Sequence, residues 1–289
     1  MWFCKNFCNI LVKNCCKKVE KWKLNKEFLQ VYGTKCIEVS EDSLKKYCRK
    51  GNIYVVEWLE NKGIDISYDD HNASYWTKSS LEIVKRFIKK GADINVAINW
   101  ACNNGNLEVV KYLFEQGADV NYDGSHSIPN ACAGGHIEVL KYLTQKGVKI
   151  VSDGYLLSLV SKKGHLNVLK FLVDNGADVT SEDSLAVCSA SRSGCLEVVK
   201  YLVQNGADAS SLAVQNASGN GHLAVVKFLV ENGADITDES LYLACENGRL
   251  EVVKFLFKNG IFVIDNNNLA FCAALDNGHW DVVEFLKTD

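Results

Sequence analysis

The stretch Gly105-Asn106-Leu107-Glu108-Val109-Val110-Lys111-Tyr112-Leu113-Phe114-Glu115-Gln116-Gly117-Ala118-Asp119 recurs, lightly edited, along most of this 289-residue chain. One copy reads as a helix with marked ends. Gly105-Asn106 is a turn and Leu107 opens the helix. Glu108 sits in the first turn, where a negative charge suits the helix dipole. Glu108 and Lys111 are three apart and pair for about 0.2–0.5 kcal/mol. Leu107, Val109, Val110, Tyr112, Leu113 and Phe114 cover more than one stripe of such a helix, so it needs neighbours on two sides. Gly117 stops it where a left-handed residue is wanted. A unit of this kind cannot bury its own apolar surface. It requires copies of itself before and after, which is the logic of a stacked array.

The same frame starts at Gly51, Ser79, Gly105, Gly135, Gly164, Gly194, Gly221, Gly248 and Gly278, at intervals of 26 to 30 residues. The closing Gly-Ala-Asp recurs at Gly91, Gly117, Gly176, Gly206 and Gly233, and decays at Gly63, Gly147 and Gly260. The copy at Ser79 has lost its leading glycine, and the weakest seam is expected there. A second, weaker helix precedes each turn, as in Ile98-Asn99-Trp100-Ala101-Cys102-Asn103-Asn104. Ser43, Ser184, Ser211 and Ser240 are expected as its N-caps. Small pairs recur near its end, Ala101-Cys102, Ala131-Cys132, Ala217-Ser218 and Ala244-Cys245, and would let paired helices approach closely.

Helix, turn, Gly-His-Leu-Glu-Val-Val-Lys, helix, Gly-Ala-Asp resembles the ankyrin repeat, over roughly residues 39 to 289. The resemblance implies an all-α, ankyrin-type helix-turn-helix solenoid of about nine repeats. Their approximate bounds are 39–66, 67–94, 95–120, 121–150, 151–179, 180–209, 210–236, 237–262 and 263–289. Two departures matter. The Thr-Pro-Leu-His helix opening of the family is absent, and the only proline is Pro129. The period is shorter than the family's typical period of about 33 residues. The shortfall lies between Gly-Ala-Asp and the first helix, so short loops with little regular hairpin are expected. Abundant Asn, Lys and Ile, scarce proline and the short period resemble the ankyrin arrays of giant DNA viruses of amoebae.

A content of 47% hydrophobic and 23% charged residues suits a long shared core. No apolar run is long enough to span a bilayer. A net charge of -3 argues against a general nucleic-acid binder. Of twelve cysteines, Cys48, Cys102, Cys132 and Cys245 fall at the small packing slot, where cysteine serves as a small hydrophobe. Reduced thiols and a cytoplasmic location, the host cytoplasm for a viral protein, are expected. A monomer is expected too.

Residues 1–38 are no repeat. Phe3, Phe7, Ile10, Leu11 and Cys15 share a helical face, with Lys5, Lys13 and Lys17 opposite. Three readings stand: a helical cap shielding the first repeat, a basic amphipathic helix touching membrane through residues 1–18, or a zinc site from Cys4, Cys8, Cys15, Cys16 and Cys36. The last lacks the Cys-x-x-Cys pairs of structural sites. At the other end the chain stops straight after its last helix, so no C-terminal ubiquitin-ligase adaptor box is expected.

No catalytic, cofactor or metal constellation stands out, and neither phosphate-loop pattern appears. His136, His165, His222 and His279 share one turn slot and read as structural, capping or bridging the turn. His71 and His126 lie in loops. The Asp of Gly-Ala-Asp reads as a turn-fixing residue. The family resemblance implies a protein partner on a concave face lined by the first helices, with the two residues before each turn glycine exposed and variable. Those pairs are Arg49-Lys50, Thr77-Lys78, Asn103-Asn104, Ala133-Gly134, Lys162-Lys163, Arg192-Ser193, Gly219-Asn220, Glu246-Asn247 and Asp276-Asn277. Their charged members are basic up to Arg192 and acidic in the last two copies. Tyr68, Tyr75, Trp76, Trp100 and Tyr122 are candidate aromatic contacts beside them, Trp100 having a core role as its alternative. Solvation alone is the competing account of the charge. The expected function is a non-catalytic interaction scaffold, with a membrane-peripheral tether as the alternative.

Overall fold

The computed structural model describes residues 29–30, 37–66, 73–122, 126–150, 154–180, 185–260 and 269–288. Among them, from Glu41 onward, stand eighteen helices and no strand. The fold is an all-helical solenoid of paired helices. Its contacts divide it into two compact units, Met1–Ala131 and Cys132–Asp289. The readings that fell on residues 1–18, on the five N-terminal cysteines, and on Tyr68, His71 and Ser184 lie outside the described residues.

The first unit holds α1 Glu41–Arg49, α2 Ile53–Asn61, α3 Ala73–Trp76, α4 Leu81–Lys89, α5 Ile94–Asn104 and α6 Leu107–Glu115; α7, Ser127–Ala133, ends just past its boundary. The second unit continues with α8 Ile137–Gln145, α9 Gly154–Lys163, α10 Leu166–Asp174, α11 Leu185–Arg192, α12 Leu196–Gln204, α13 Ser211–Asn220, α14 Leu223–Glu231, α15 Asp238–Glu246, α16 Leu250–Lys258, α17 Leu269–Asp276 and α18 Trp280–Thr288. Odd numbers are the first helices of the repeats and even numbers the second.

The recurring stretch produces the even helices by a fixed recipe. In α6 the residues four, five and eight after the turn glycine, Val109, Val110 and Leu113, are fully buried. That spacing is one helical stripe, and each such side chain contributes about 1.5–3 kcal/mol on burial. Leu107, Tyr112 and Phe114 flank the stripe half-buried. At the end, the Ala118 amide donates to the Leu113 carbonyl at 3.0 Å and the Gly117 amide to Phe114 at 3.0 Å. This paired closure puts Gly117 at φ 93°, which glycine adopts without a Cβ penalty. Ala118 then folds back, 5% exposed. Gly-Ala is thus one device: the turn and its apolar plug.

The aspartate of the triplet opens the next segment. The Asp93 carboxylate accepts from the Asn95 and Val96 amides at 2.7 and 3.3 Å and caps α5. Asp119 accepts from the Asn121 amide at 2.8 Å, and Asp178 from the Thr180 amide at 2.9 Å. These are turn-fixing contacts, as read from the sequence. The serine caps differ from expectation. Ser40 caps α1 through the Ser43 amide, and Ser210 caps α13 through the Ala213 amide, each at 3.3 Å. Thr237 holds the corresponding place before α15. Ser43, Ser211 and Ser240 lie one or three residues inside the helix, because a cap must keep extended backbone.

Odd helices pack through their small pairs. Ala97, Ile98, Ala101 and Cys102 of α5 are fully buried. In the second unit α9, α11, α13, α15 and α17 pack in sequence, each against the next.

In five repeats a side chain of the turn reaches back to its predecessor by a hydrogen bond and sets the register. His165 Nε2 lies 2.9 Å from the Ala133 carbonyl oxygen, His222 Nε2 3.1 Å from Arg192, and His279 Nε2 2.9 Å from Glu246. A carbonyl only accepts, so each ring donates. Arg249 fills the slot with Nε 3.3 Å from the Gly219 carbonyl. In the first unit Asn106 does the same, its amide nitrogen donating to Thr77 at 3.1 Å and Ser79 at 3.2 Å. His165, His222 and His279 therefore bridge repeats. Cys195 is too short to do so, and its thiol contacts the Ser193 carbonyl of its own turn at 3.9 Å.

Candidate functional site

The pair before each turn glycine closes a first helix. Arg49, Lys50, Lys78, Lys162, Lys163, Arg192, Asn220, Asn247, Asp276 and Asn277 are exposed there; Trp100, Asn103, Asn104 and Glu246 are half-buried. In the second unit the charge along these helix ends runs from Lys162, Lys163 and Arg192 to Glu246 and Asp276. In the first it is basic at Arg49, Lys50 and Lys78.

Two expected contacts are core residues. Tyr75 is 2% exposed and Trp76 0%, with the Trp76 ring stacked 4.9 Å from that of Phe87 at an interplanar angle of 14°. They occupy the two inward slots that hold Ala101-Cys102 one repeat later. The described α3 spans four residues, Ala73–Trp76. Thr77 is buried as well, its hydroxyl donating to the Ala73 carbonyl at 2.7 Å.

The repeat that lacks a turn glycine is braced from its neighbour. Asn104 donates to the Ser74 carbonyl at 3.1 Å and the Thr77 hydroxyl at 3.0 Å, and Asn106 adds its two bonds. The Ser79 hydroxyl donates to the Trp76 carbonyl. The Asn104 amide is thereby committed inside the protein. Asn220, Asn247 and Asn277 are also turned inward, donating to the carbonyls of Asn216, Leu243 and Ala273 at 2.8, 2.9 and 2.9 Å. They close their own helices, while the cationic side chains reach outward. Arg192 is held by its neighbour, with Nε 3.0 Å from Asn216 Oδ1. Tyr242 donates to Glu246 Oε1 at 3.2 Å.

The sequence reading missed one set of surface residues. Tyr155, Leu185 and Leu212, at 63%, 42% and 54% exposure, stand nine residues before their turn glycines on α9, α11 and α13. Glu239, exposed on α15, takes the same slot next. Counting back from the glycine would have aligned them.

No group of three or more His, Cys, Asp or Glu side chains converges among the described residues. Burial pushes the thiols of Cys102, Cys132 and Cys245 up to about 12, so they stay protonated and unreactive near neutrality. In the shallow groove between α14 and α16, Lys254 pairs with Glu251 at 2.9 Å and Lys227 lies over the Phe255 ring.

A family profile described as ankyrin repeats, three copies to the profile, matches residues 71–154, 152–213 and 212–289. Among solved structures, the crystal structure of the human ASB11 ankyrin repeat domain superposes with a TM-score of 0.56 at 24% identity, over 66% of this chain and 96% of that one. That likeness concerns the fold. No curated protein matches in sequence.

Proposed function

Because this chain belongs to the ankyrin repeat family, whose repeats generally mediate protein–protein interaction, we propose that it is a non-catalytic scaffold. It binds a protein partner through the first helices of its repeats. The observation that carries this reading is the contrast between a recurring frame and a variable pair: most copies keep the turn glycine and a bridge to the previous repeat, while the residues before the turn range from Arg192 to Glu246. Arg49, Lys50, Lys78, Lys162, Lys163 and Arg192 supply the basic contacts and Glu246 and Asp276 the acidic ones, with half-buried Trp100 and Asn103 beside them. The resemblance to viral short-period arrays makes a host cytoplasmic protein the partner class, bound by a monomer.

The test is affinity capture from host-cell lysate with the intact protein and with a variant carrying Arg49, Lys50, Lys78, Lys162, Lys163 and Arg192 all changed to Glu. Loss of a defined protein from the folded variant supports the reading. Capture of the same proteins by both defeats it, and association with membranes alone favours the tether through residues 1–18.

A further inference from the structure

Tyr155, Leu185 and Leu212 do not behave as scattered surface residues. Single exposed apolar side chains are ordinary on any protein. These three share one slot on three successive helices, α9, α11 and α13, that pack directly against one another. The Ser158 and Ser189 hydroxyls join the first two helices at 2.7 Å. The result is an apolar row running across the repeats. Seven residues further along the same helices, about 10 Å away, runs the charged strip. It is basic at Lys162 and Arg192 and acidic at Glu246, beyond the apolar end at Leu212.

We propose that this face of the second unit receives an amphipathic α-helix of another protein, laid across α9, α11 and α13. Its acidic side chains lie over Lys162, Lys163 and Arg192, and its basic ones toward Glu239 and Glu246. The inference rests on the scaffold reading and names the chemistry of its partner. Spacing selects the conformation. Neighbouring packed helices stand about 8–10 Å apart. A helical partner advances about 10.5 Å in seven residues and returns nearly the same face, so apolar residues at i, i+7 and i+14 meet the three members of the row. An extended strand advances about 3.3 Å per residue. It needs an odd number of residues, about three, per repeat, which turns alternate side chains away. A polyproline helix returns its face every third residue, but it is slender. An α-helix about 10–12 Å across covers the apolar row and the charged strip together.

The test uses the full chain and synthetic peptides of about 18 residues, two and a half heptads, read by fluorescence anisotropy. The matched peptide has Leu at i, i+7 and i+14, Glu flanking the first and Lys the last. One control has the same composition with Leu spaced so that it winds around the helix. A second is a polyproline peptide with Leu at every third position. Two protein variants, Leu185→Ser with Leu212→Ser and Lys162→Glu with Arg192→Glu, are checked for unchanged circular dichroism and thermal midpoint. The expected result is saturable binding of the matched peptide, weakened about tenfold or more by the wound spacing and by either variant, as for loss of a buried anchor or a charge pair. Equal binding of matched and wound peptides, tighter binding of the polyproline peptide, or indifference to both variants overturns the proposal. If the captured cellular partner is lost with the basic residues while the matched peptide fails to bind, the scaffold reading stands and the helical occupant does not.

Discussion

The His222 ring donates to the backbone carbonyl of Arg192 across thirty residues of chain, at 3.1 Å, and in doing so lies against Gly194. A Cβ on Gly194 would sit 2.5 Å from His222 Nδ1. Gly194 also has φ 72°. It is therefore fixed by its backbone and by its neighbour at once. Gly194→Ala is expected to cost more than the roughly 1–2 kcal/mol of left-handed backbone alone. In a His222→Ala background the excess should vanish. A double-mutant cycle by urea denaturation measures the coupling; additivity would show that ring and glycine do not interfere.

The interruption at Cys195 is repairable. Cys195→His places a donor where its neighbours have one, and is expected to stabilise the second unit by about 0.5–1.5 kcal/mol. The midpoint in urea should rise with an unchanged slope.

The turn without glycine depends on Asn106, whose Oδ1 also accepts from the Val109 amide at 3.4 Å. Asn106→Ala is expected to destabilise the first unit by about 1–3 kcal/mol, the penalty for stranding partly buried carbonyls. Hydrogen exchange should quicken first over residues 73–90. Uniform exchange across that unit would contradict a local weak point.

Three buried serines offer the opposite sign. The hydroxyls of Ser161, Ser191 and Ser218 lie fully buried without a hydrogen-bond partner among the described residues. Cys102, Cys132 and Cys245 fill the same slot elsewhere. Ser191→Cys removes an unsatisfied hydroxyl at similar volume and is expected to stabilise by about 1 kcal/mol. Destabilisation would mean that the hydroxyl is satisfied in solution.

Acid should loosen the first unit through Glu60. Burial works to raise its carboxyl, but hydrogen bonds from Lys90 at 2.6 Å and Arg86 at 2.6 Å, with their charges, hold it below its ordinary value of 4.5. A depressed carboxyl contributes stability that is complete above the unfolded value and is lost as pH falls through the folded one. Denaturation at about pH 6 and about pH 3.5 should show a loss that Glu60→Gln largely abolishes. An equal loss in that variant would place the acid sensitivity elsewhere.

The frame was legible because periodic burial and left-handed glycine are written in residue types. Val109, Val110, Leu113 and Gly117 each stand where type and spacing demanded. The interaction face was only partly legible, because it depends on direction. Tyr75 and Trp76 looked like contacts because aromatics beside basic residues suit a binding surface, although counting back from Ser79 puts them in the slots of Ala101-Cys102. Leu185 and Leu212 were not visible as surface residues, because leucine in a helix does not by its type say which way it points. Asn220 and Asn247 looked open, since nothing in an asparagine's identity says that it turns back to the carbonyl four residues earlier. His165 and its kin were recognisable as structural from recurrence, but the carbonyl each one reaches belongs to the preceding repeat.

The bridge ends on a main-chain carbonyl, and that choice separates two kinds of information. Alanine, arginine, glycine and glutamate at 133, 192, 219 and 246 all present the same oxygen to the next repeat, whatever their side chains do. The joint is thus received by an atom that every residue possesses, and identity at 192 and 246 is left for the outer world to select. Such a chain can be rewritten letter by letter along one face, by evolution or by design, without renegotiating how its repeats are joined.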